Sequence, residues 1–154
     1  MIKLEKHSTE AITQLYSLIN TDREYYSALP WANSCTQELL LDFFEIKKTT
    51  SDITYLIYND DIPVGVIDGR VKNTAIDIGY WIGKSYANKG YTTEAVKLFL
   101  SNLEYKEITA SALNTNTGSR RVLEKCGFIL YHSNEKYSYY RISTLNIDSV
   151  VDDQ

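Results

Sequence analysis

The chain has 154 residues, 44% of them hydrophobic and 23% charged, a globular composition long enough to bury one real core and unlike that of a disordered chain. Its formal net charge of −4 lacks the basic footprint of a general nucleic-acid binder, while leaving a basic substrate electrostatically compatible. Cys35 and Cys126, the only cysteines, form neither a metal-ligand pattern nor a disulfide framework, so no metal is expected and a reducing cytoplasm is the expected setting. The start Met-Ile-Lys-Leu-Glu-Lys-His lacks the apolar core of a signal peptide, and no apolar run approaches the roughly 20 residues that cross a bilayer.

Residues 2–6 alternate apolar and polar side chains, which predicts a first strand. Ser8 or Thr9 can cap a helix whose apolar stripe is Ile12, Leu15, Leu18 and Ile19. Leu29-Pro30-Trp31 closes that region as a loop, and residues 36–48 predict a second helix with Leu39, Leu40, Phe43, Phe44 and Ile46 apolar. Residues 53–58 and 62–71 predict a hairpin about Asn59-Asp60-Asp61, and residues 75–83 the next strand. An apolar helix over 92–103, a strand over 108–113, a helix over 116–126 and strands over 128–132 and 137–143 complete the pattern. The expectation is one α+β domain over 1–145, a mixed sheet with helices, and a tail over 146–154 that frays at its end. Thirteen tyrosines either line a cleft or supply strand positions, which tyrosine favours.

Two segments carry chemistry. In the first, the strand ending Tyr80-Trp81-Ile82 breaks into a loop and enters a helix at Gly90. Such a corner aims free backbone N–H groups and the positive end of a helix dipole at one point, which suits a phosphate. A glycine there lets the backbone approach the ligand closely; an ordinary strand–helix turn is the alternative. Gly83-Lys84-Ser85 mimics the end of a Walker motif, but position 78 is Ile where that motif needs glycine. In the second segment Asn116 starts a helix that Gly127 ends, with Ser119 one turn on and Val122, Leu123 and Cys126 inward. A capped amphipathic helix explains Gly127 but gives no reason for Ser119. His7 and His132 show no triad or metal spacing, and Cys126, on an inner helix face, reads as packing.

Together the two segments resemble the cofactor-binding motifs of the GNAT superfamily of acetyl-CoA-dependent N-acetyltransferases. Asn116, Ser119, Glu124, Lys125, Gly127 and Phe128 match the second motif, whereas in the phosphate loop Ala87 and Thr92 depart from the usual residues and only Gly90 is kept. Lys89-Gly90-Tyr91-Thr92-Thr93-Glu94-Ala95 and the Pro30-Trp31 pair resemble the Rim-type branch, whose members acetylate protein N-termini. The resemblance implies a mostly antiparallel sheet of about seven strands with about four helices. It implies an acetyl-CoA site at Trp81, Ile82, Ala87, Asn88, Lys89, Gly90, Tyr91, Thr92, Asn116 and Ser119, with Trp31 and Tyr80 on the acceptor side. It further implies that the strand carrying Trp81 and Ile82 splays from its neighbour and offers main-chain groups to pantetheine.

Ser119 is then the candidate donor of a proton to the leaving CoA thiolate, with Tyr131 and the tyrosines of 137–140 as alternatives. Asp77, where relatives often carry Glu, is the candidate base; a solvated strand carboxylate is the other reading. The acceptor amine must be uncharged: at pH 7 roughly 10–20% of a protein α-amine is free, against well under about 0.1% of a lysine. That handicap, about 1 against roughly 4–5 kcal/mol, tilts the expectation to a protein or peptide N-terminus. A polyamine or aminoglycoside acceptor, and a non-catalytic CoA-binding interaction domain, are the competing readings. A homodimer is compatible; neither nucleic acid nor membrane is expected as a partner.

Overall fold

The computed structural model describes residues 1–26, 32, 34–105 and 107–143. Seven strands form one sheet: β1 (Ile2–Glu5), β2 (Ile53–Asn59), β3 (Ile62–Lys72), β4 (Ala75–Ile82), β5 (Glu107–Leu113), β6 (Ile129–Ser133) and β7 (Tyr137–Ser143). Their order is β1-β2-β3-β4-β5-β7-β6, antiparallel throughout except for the parallel pair β4–β5. The described helices are α1 (Thr9–Thr21), α2 (Gln37–Lys47), α3 (Tyr91–Ser101) and α4 (Thr117–Lys125), with a 3-10 turn over Lys84–Tyr86. The expected mixed sheet, its strands and its helices are thus present.

Local chemistry sets the element ends. Ser8 Oγ accepts the Ala11 N–H at 3.3 Å and Thr36 Oγ1 the Leu39 N–H at 3.1 Å, capping α1 and α2. Gly127, at φ +91°, ends α4 in the left-handed conformation that glycine adopts without strain. Strand alternation divides the core between the two sheet faces. Ile57, Ile67, Ile76 and Ile78 pack with Val96, Phe99 and Leu123 of α3 and α4, while Leu56 and Val66 pack with Ile12, Leu15, Leu40 and Phe44 of α1 and α2.

Helix α2 differs from its sequence pattern. Of its five apolar residues noted above only Leu40 and Phe44 are buried; Leu39 is 53%, Phe43 37% and Ile46 62% exposed. The helix covers the sheet with one edge and turns a second apolar edge to a cleft. It is also tied down ionically. Lys47 Nζ donates to Asp52 at 2.9 Å and to Asp68 at 2.8 Å, with its own side chain only 11% exposed. Burial works against the ammonium, but these hydrogen bonds outweigh it and hold the Lys47 pKa above its ordinary value.

One interruption of the sheet positions everything else. The β4–β5 pairing runs only from Ala75↔Glu107 to Ile78↔Ala110, whereas β4 stays paired to β3 as far as Ile82 and β5 to β7 as far as Leu113. Beyond Ile78 the two central strands diverge, opening a wedge through the middle of the sheet. The β3–β4 register is continuous at Gly79, so that glycine marks no bulge.

Candidate active site

On one side of the wedge, the chain leaves β4 and enters α3 through Gly90, at φ +82° and with no heavy atom within 4 Å of where a Cβ would stand. The first intrahelical bond of α3 runs from Glu94 N–H to Gly90 O at 3.1 Å. The N–H groups of Tyr91, Thr92 and Thr93, which precede that bond in the first turn of α3, have no intrahelical acceptor. A groove of about 580 Å³ extends from here along the wedge. It takes in the expected Trp81, Ile82, Ala87, Asn88, Gly90, Tyr91, Thr92, Asn116 and Ser119, but not Lys89. Its other wall adds Arg121 and Lys125, two cations on α4 that the motif reading did not single out for binding. Asn88, at φ +60°, turns the loop toward Gly90.

Tyr26 closes the groove near the end of β4. Its hydroxyl accepts the Lys84 N–H at 2.9 Å and donates to Ile82 O at 3.4 Å. Burial, partly opposed by the Lys84 hydrogen bond, pushes the phenol up to about 12. The ring stands edge-on to Trp81 at 5.9 Å.

A second cleft of about 600 Å³ lies between α2 and the face of β3, β4 and β5. Tyr80, Trp81, Asn116 and Ser119 line both cavities and so mark their junction. There Tyr80 Oη lies 3.1 Å from Ser119 Oγ and donates to Ser119 O at 3.2 Å. Asn116 Oδ1 caps α4 by accepting the Ser119 N–H at 3.1 Å, fixing the serine on the first turn. Burial raises the Tyr80 pKa strongly, against the lowering effect of its Ser119 hydrogen bond, so the phenol keeps its proton. The other tyrosines differ. Tyr137 lines the cleft, Tyr140 is buried and donates to Glu124, and Tyr131 is exposed on the outer strand.

Leu39, Phe43, Val66, Trp81 and Leu113 make this second cleft largely apolar, and Asp68 and Arg70 are the charged residues among its described lining. Asp68 is engaged by Lys47 at 2.8 Å and by Thr54 Oγ1 at 2.6 Å. Asp77 does share a face with Gly79 and Trp81, but it lines neither cavity. Arg70 Nη2 donates to its Oδ2 and Thr109 Oγ1 to its Oδ1 at 2.8 Å. Each oxygen thus already accepts one hydrogen bond. Trp31 lies outside the described residues.

Neither cysteine is set up as a nucleophile. Burial pushes the Cys126 thiol up to about 12, and it raises that of Cys35 as well. His7 packs on Phe44 at 4.7 Å and His132 on Tyr139 at 5.5 Å, away from the junction. Among the described residues no group of His, Cys, Asp or Glu is arranged to hold a metal ion, and no helix is long and apolar enough to cross a membrane.

This fold and two-chambered site define an acyl transferase, and the family model described as an acetyltransferase (GNAT) domain matches residues 2–129. The chain belongs to the GNAT family and is an N-acetyltransferase. It is 31% identical over 123 residues to the N-acetyltransferase YjdG of Bacillus subtilis, covering 71% of this chain and 73% of that protein. Its fold is similar to that of the microcin C7 self-immunity acetyltransferase MccE in complex with acetyl-CoA and AMP, with a TM-score of 0.83, 19% identity and 92% of each chain covered. It is also similar to that of RimL, a ribosomal L7/L12 α-N-protein acetyltransferase in complex with coenzyme A. That match has a TM-score of 0.81 and 16% identity, covering 92% of this chain and 93% of RimL.

Proposed function

We propose that this enzyme transfers the acetyl group of acetyl-CoA to the α-amine of a protein or peptide N-terminus by direct attack. The observation that carries this reading is the meeting of two cavities at the Tyr80–Ser119 hydroxyl pair. The groove over Gly90 takes the pyrophosphate on the main-chain donors of the loop and α3, with Arg121 and Lys125 within the same groove. Pantetheine then follows the wedge past Ile82 and Trp81, which delivers the thioester to the junction. The acceptor enters from the α2 side, and holding both reactants in one cleft supplies much of the rate by proximity.

In the transfer, the amine nitrogen bonds to the thioester carbonyl carbon and the carbon–sulfur bond breaks. The departing thiolate takes the Ser119 hydroxyl proton, which solvent restores, while the Tyr80 phenol, held protonated by burial, hydrogen-bonds to Ser119 and keeps it in place. The nitrogen loses its proton to solvent, which an α-amine needs little help to do near neutral pH. Asp77 enters this reading as the anchor of Arg70 rather than as the base. The fold likeness to RimL supports a Rim-type acceptor at the level of architecture. Thiol release from acetyl-CoA with N-terminal peptides, polyamines and aminoglycosides tests the proposal. Turnover of peptides above the small amines is expected; turnover of polyamines alone refutes the acceptor, and no thiol release with any amine refutes the transfer.

A further inference from the structure

We infer that Arg70 is an anion subsite of the acceptor cleft, taking the carboxylate of an acidic side chain at the second or third residue of the acceptor peptide. This rests on the acceptor entering along α2, as proposed above. The charges around the cleft carry it. Asp68 is paired with Lys47 and Thr54, and Asp77 with Arg70 and Thr109, so each carboxylate oxygen already has a donor from the protein. Arg70 is in the opposite situation. Its guanidinium has five N–H donors, one is used on Asp77, and its side chain is 50% exposed at the cleft. The segment 27–33, whose side chains are Ser, Ala, Leu, Pro, Trp, Ala and Asn, contributes no charge wherever it lies.

The guanidinium is also held in place. Asp77 sits directly across the β3–β4 register from Arg70, and Thr109 fixes the other oxygen of Asp77 from β5. Opposite, Gly79 leaves the guanidinium uncovered: a Cβ there would stand 3.9 Å from Arg70 Nη2. That places the cation level with Gly79, two residues along β4 from the junction at Trp81. At about 3.3 Å per residue in a strand, the separation is roughly 7 Å. An extended peptide with its amine at the junction covers this distance in about two residues, which puts a second- or third-residue carboxylate beside Arg70. Between them the apolar wall of Leu39, Phe43 and Val66 receives uncharged side chains. A polyamine brings only like charge to this subsite.

Two synthetic heptapeptides, identical except for Asp or Asn at positions two and three, provide the test. Their binding to the CoA-loaded protein is measured by calorimetry, and their turnover by thiol release, at low and high salt. The acidic peptide should be favoured by about 10–100-fold, as for loss of a charge-assisted hydrogen bond, and the preference should shrink with salt. Arg70→Gln should lower the acidic peptide to the level of the amide peptide. Since that variant deprives Asp77 of a partner, Arg70→Gln/Asp77→Asn is measured beside it, with thermal unfolding of both. Equal binding of the two peptides, no binding of either, or a preference that survives loss of Arg70 overturns the inference. Acid-selective binding without thiol release upholds the subsite and overturns the transfer reading. Thiol release indifferent to the carboxylate does the reverse.

Discussion

Gly90 allows the cofactor reading to be tested apart from the fold. Its backbone is left-handed at φ +82° and its missing Cβ points into space with no heavy atom within 4 Å. Gly90→Ala therefore meets no clash, and its folding cost is the left-handed penalty of about 1–2 kcal/mol. At roughly 2–4 °C per kcal/mol for a domain of this size, the melting temperature should drop by about 2–8 °C. Valine adds a branched side chain at positive φ and fills more of the space over the N–H groups. If those groups hold the pyrophosphate, each lost charge-assisted contact is worth about 1.5–3 kcal/mol, roughly 10–100-fold in affinity. Calorimetric titration of Gly90→Ala and Gly90→Val with CoA, beside S-acetylpantetheine as a pyrophosphate-free control, reads this directly. The deficit should be large for CoA and small for the fragment. A folded Gly90→Val that binds CoA within about two-fold of wild type removes the loop from the site. Gly65→Ala gives the contrast: its Cβ would lie 2.3 Å from Trp81 O, so it should damage the sheet itself.

Ser119→Ala should lower turnover by about 10²–10⁴-fold, the usual scale for a positioned proton donor, with a smaller effect on CoA affinity; equal losses in both would make it a binding contact only. Tyr80→Phe should reduce turnover less than Ser119→Ala, and an unchanged rate would show that the phenol does not position Ser119. Asp77→Asn should keep the wild-type shape of the pH–rate profile while raising the acceptor KM; a rate deficit confined to low pH would restore Asp77 as the base. Lys47→Met should destabilise the fold by about 3–5 kcal/mol in denaturant titration, because it breaks a largely buried ion cluster. The Lys47 hydrogen bond, more than burial opposes it, holds the Asp52 pKa below its ordinary value. Its stabilisation is therefore present above about pH 3.9 and lost as pH falls through the lower folded-state value, while that of Lys47 persists until pH rises past about 10.4. Wild-type protein unfolding equally readily at pH 3 and pH 6 would contradict this.

The periodic elements and the two glycine-marked helix ends were legible because hydrophobic period and capping chemistry are local. The pairings that make the site were not. Tyr80 and Ser119 meet only because β4 and β5 diverge beyond Ile78 and α4 crosses the gap, a consequence of sheet order rather than of spacing. Alternation along β4 puts Asp77 on one face with Gly79 and Trp81. Its capture by Arg70 depends on the β3–β4 register, which pairs the two residues across the sheet. Helix α2 shows the opposite failure. Its pattern carries more apolar positions than the core takes; of the surplus, Leu39 and Phe43 are cleft wall and Ile46 faces solvent. An apolar helix position signals burial against something, and a ligand surface leaves the same trace as a core. Beside Ser119, the expected proton donor, stands a tyrosine of the strand, Tyr80, 3.1 Å from its hydroxyl, and not Tyr131 or one of the 137–140 tyrosines.

The short β4–β5 joint has a mechanical consequence. Two antiparallel plates, β1–β4 and β5–β7–β6, are fastened along the sheet by only the span from Ala75↔Glu107 to Ile78↔Ala110, and beyond it they gape. A cosubstrate bound in that gap as proposed has the β4–α3 plate on one side, with Ile82 and Gly90, and the β5–α4 plate on the other, with Asn116 and Arg121. Bound in this way, it bridges the two plates where the sheet itself does not. At 100 times its dissociation constant a bound ligand adds about 2.7 kcal/mol to global stability. With the cosubstrate seated as proposed, that energy includes contacts made across the gap, so loading should slow amide exchange on both sides of it, in β4 and β5 beyond Ile78 and Ala110.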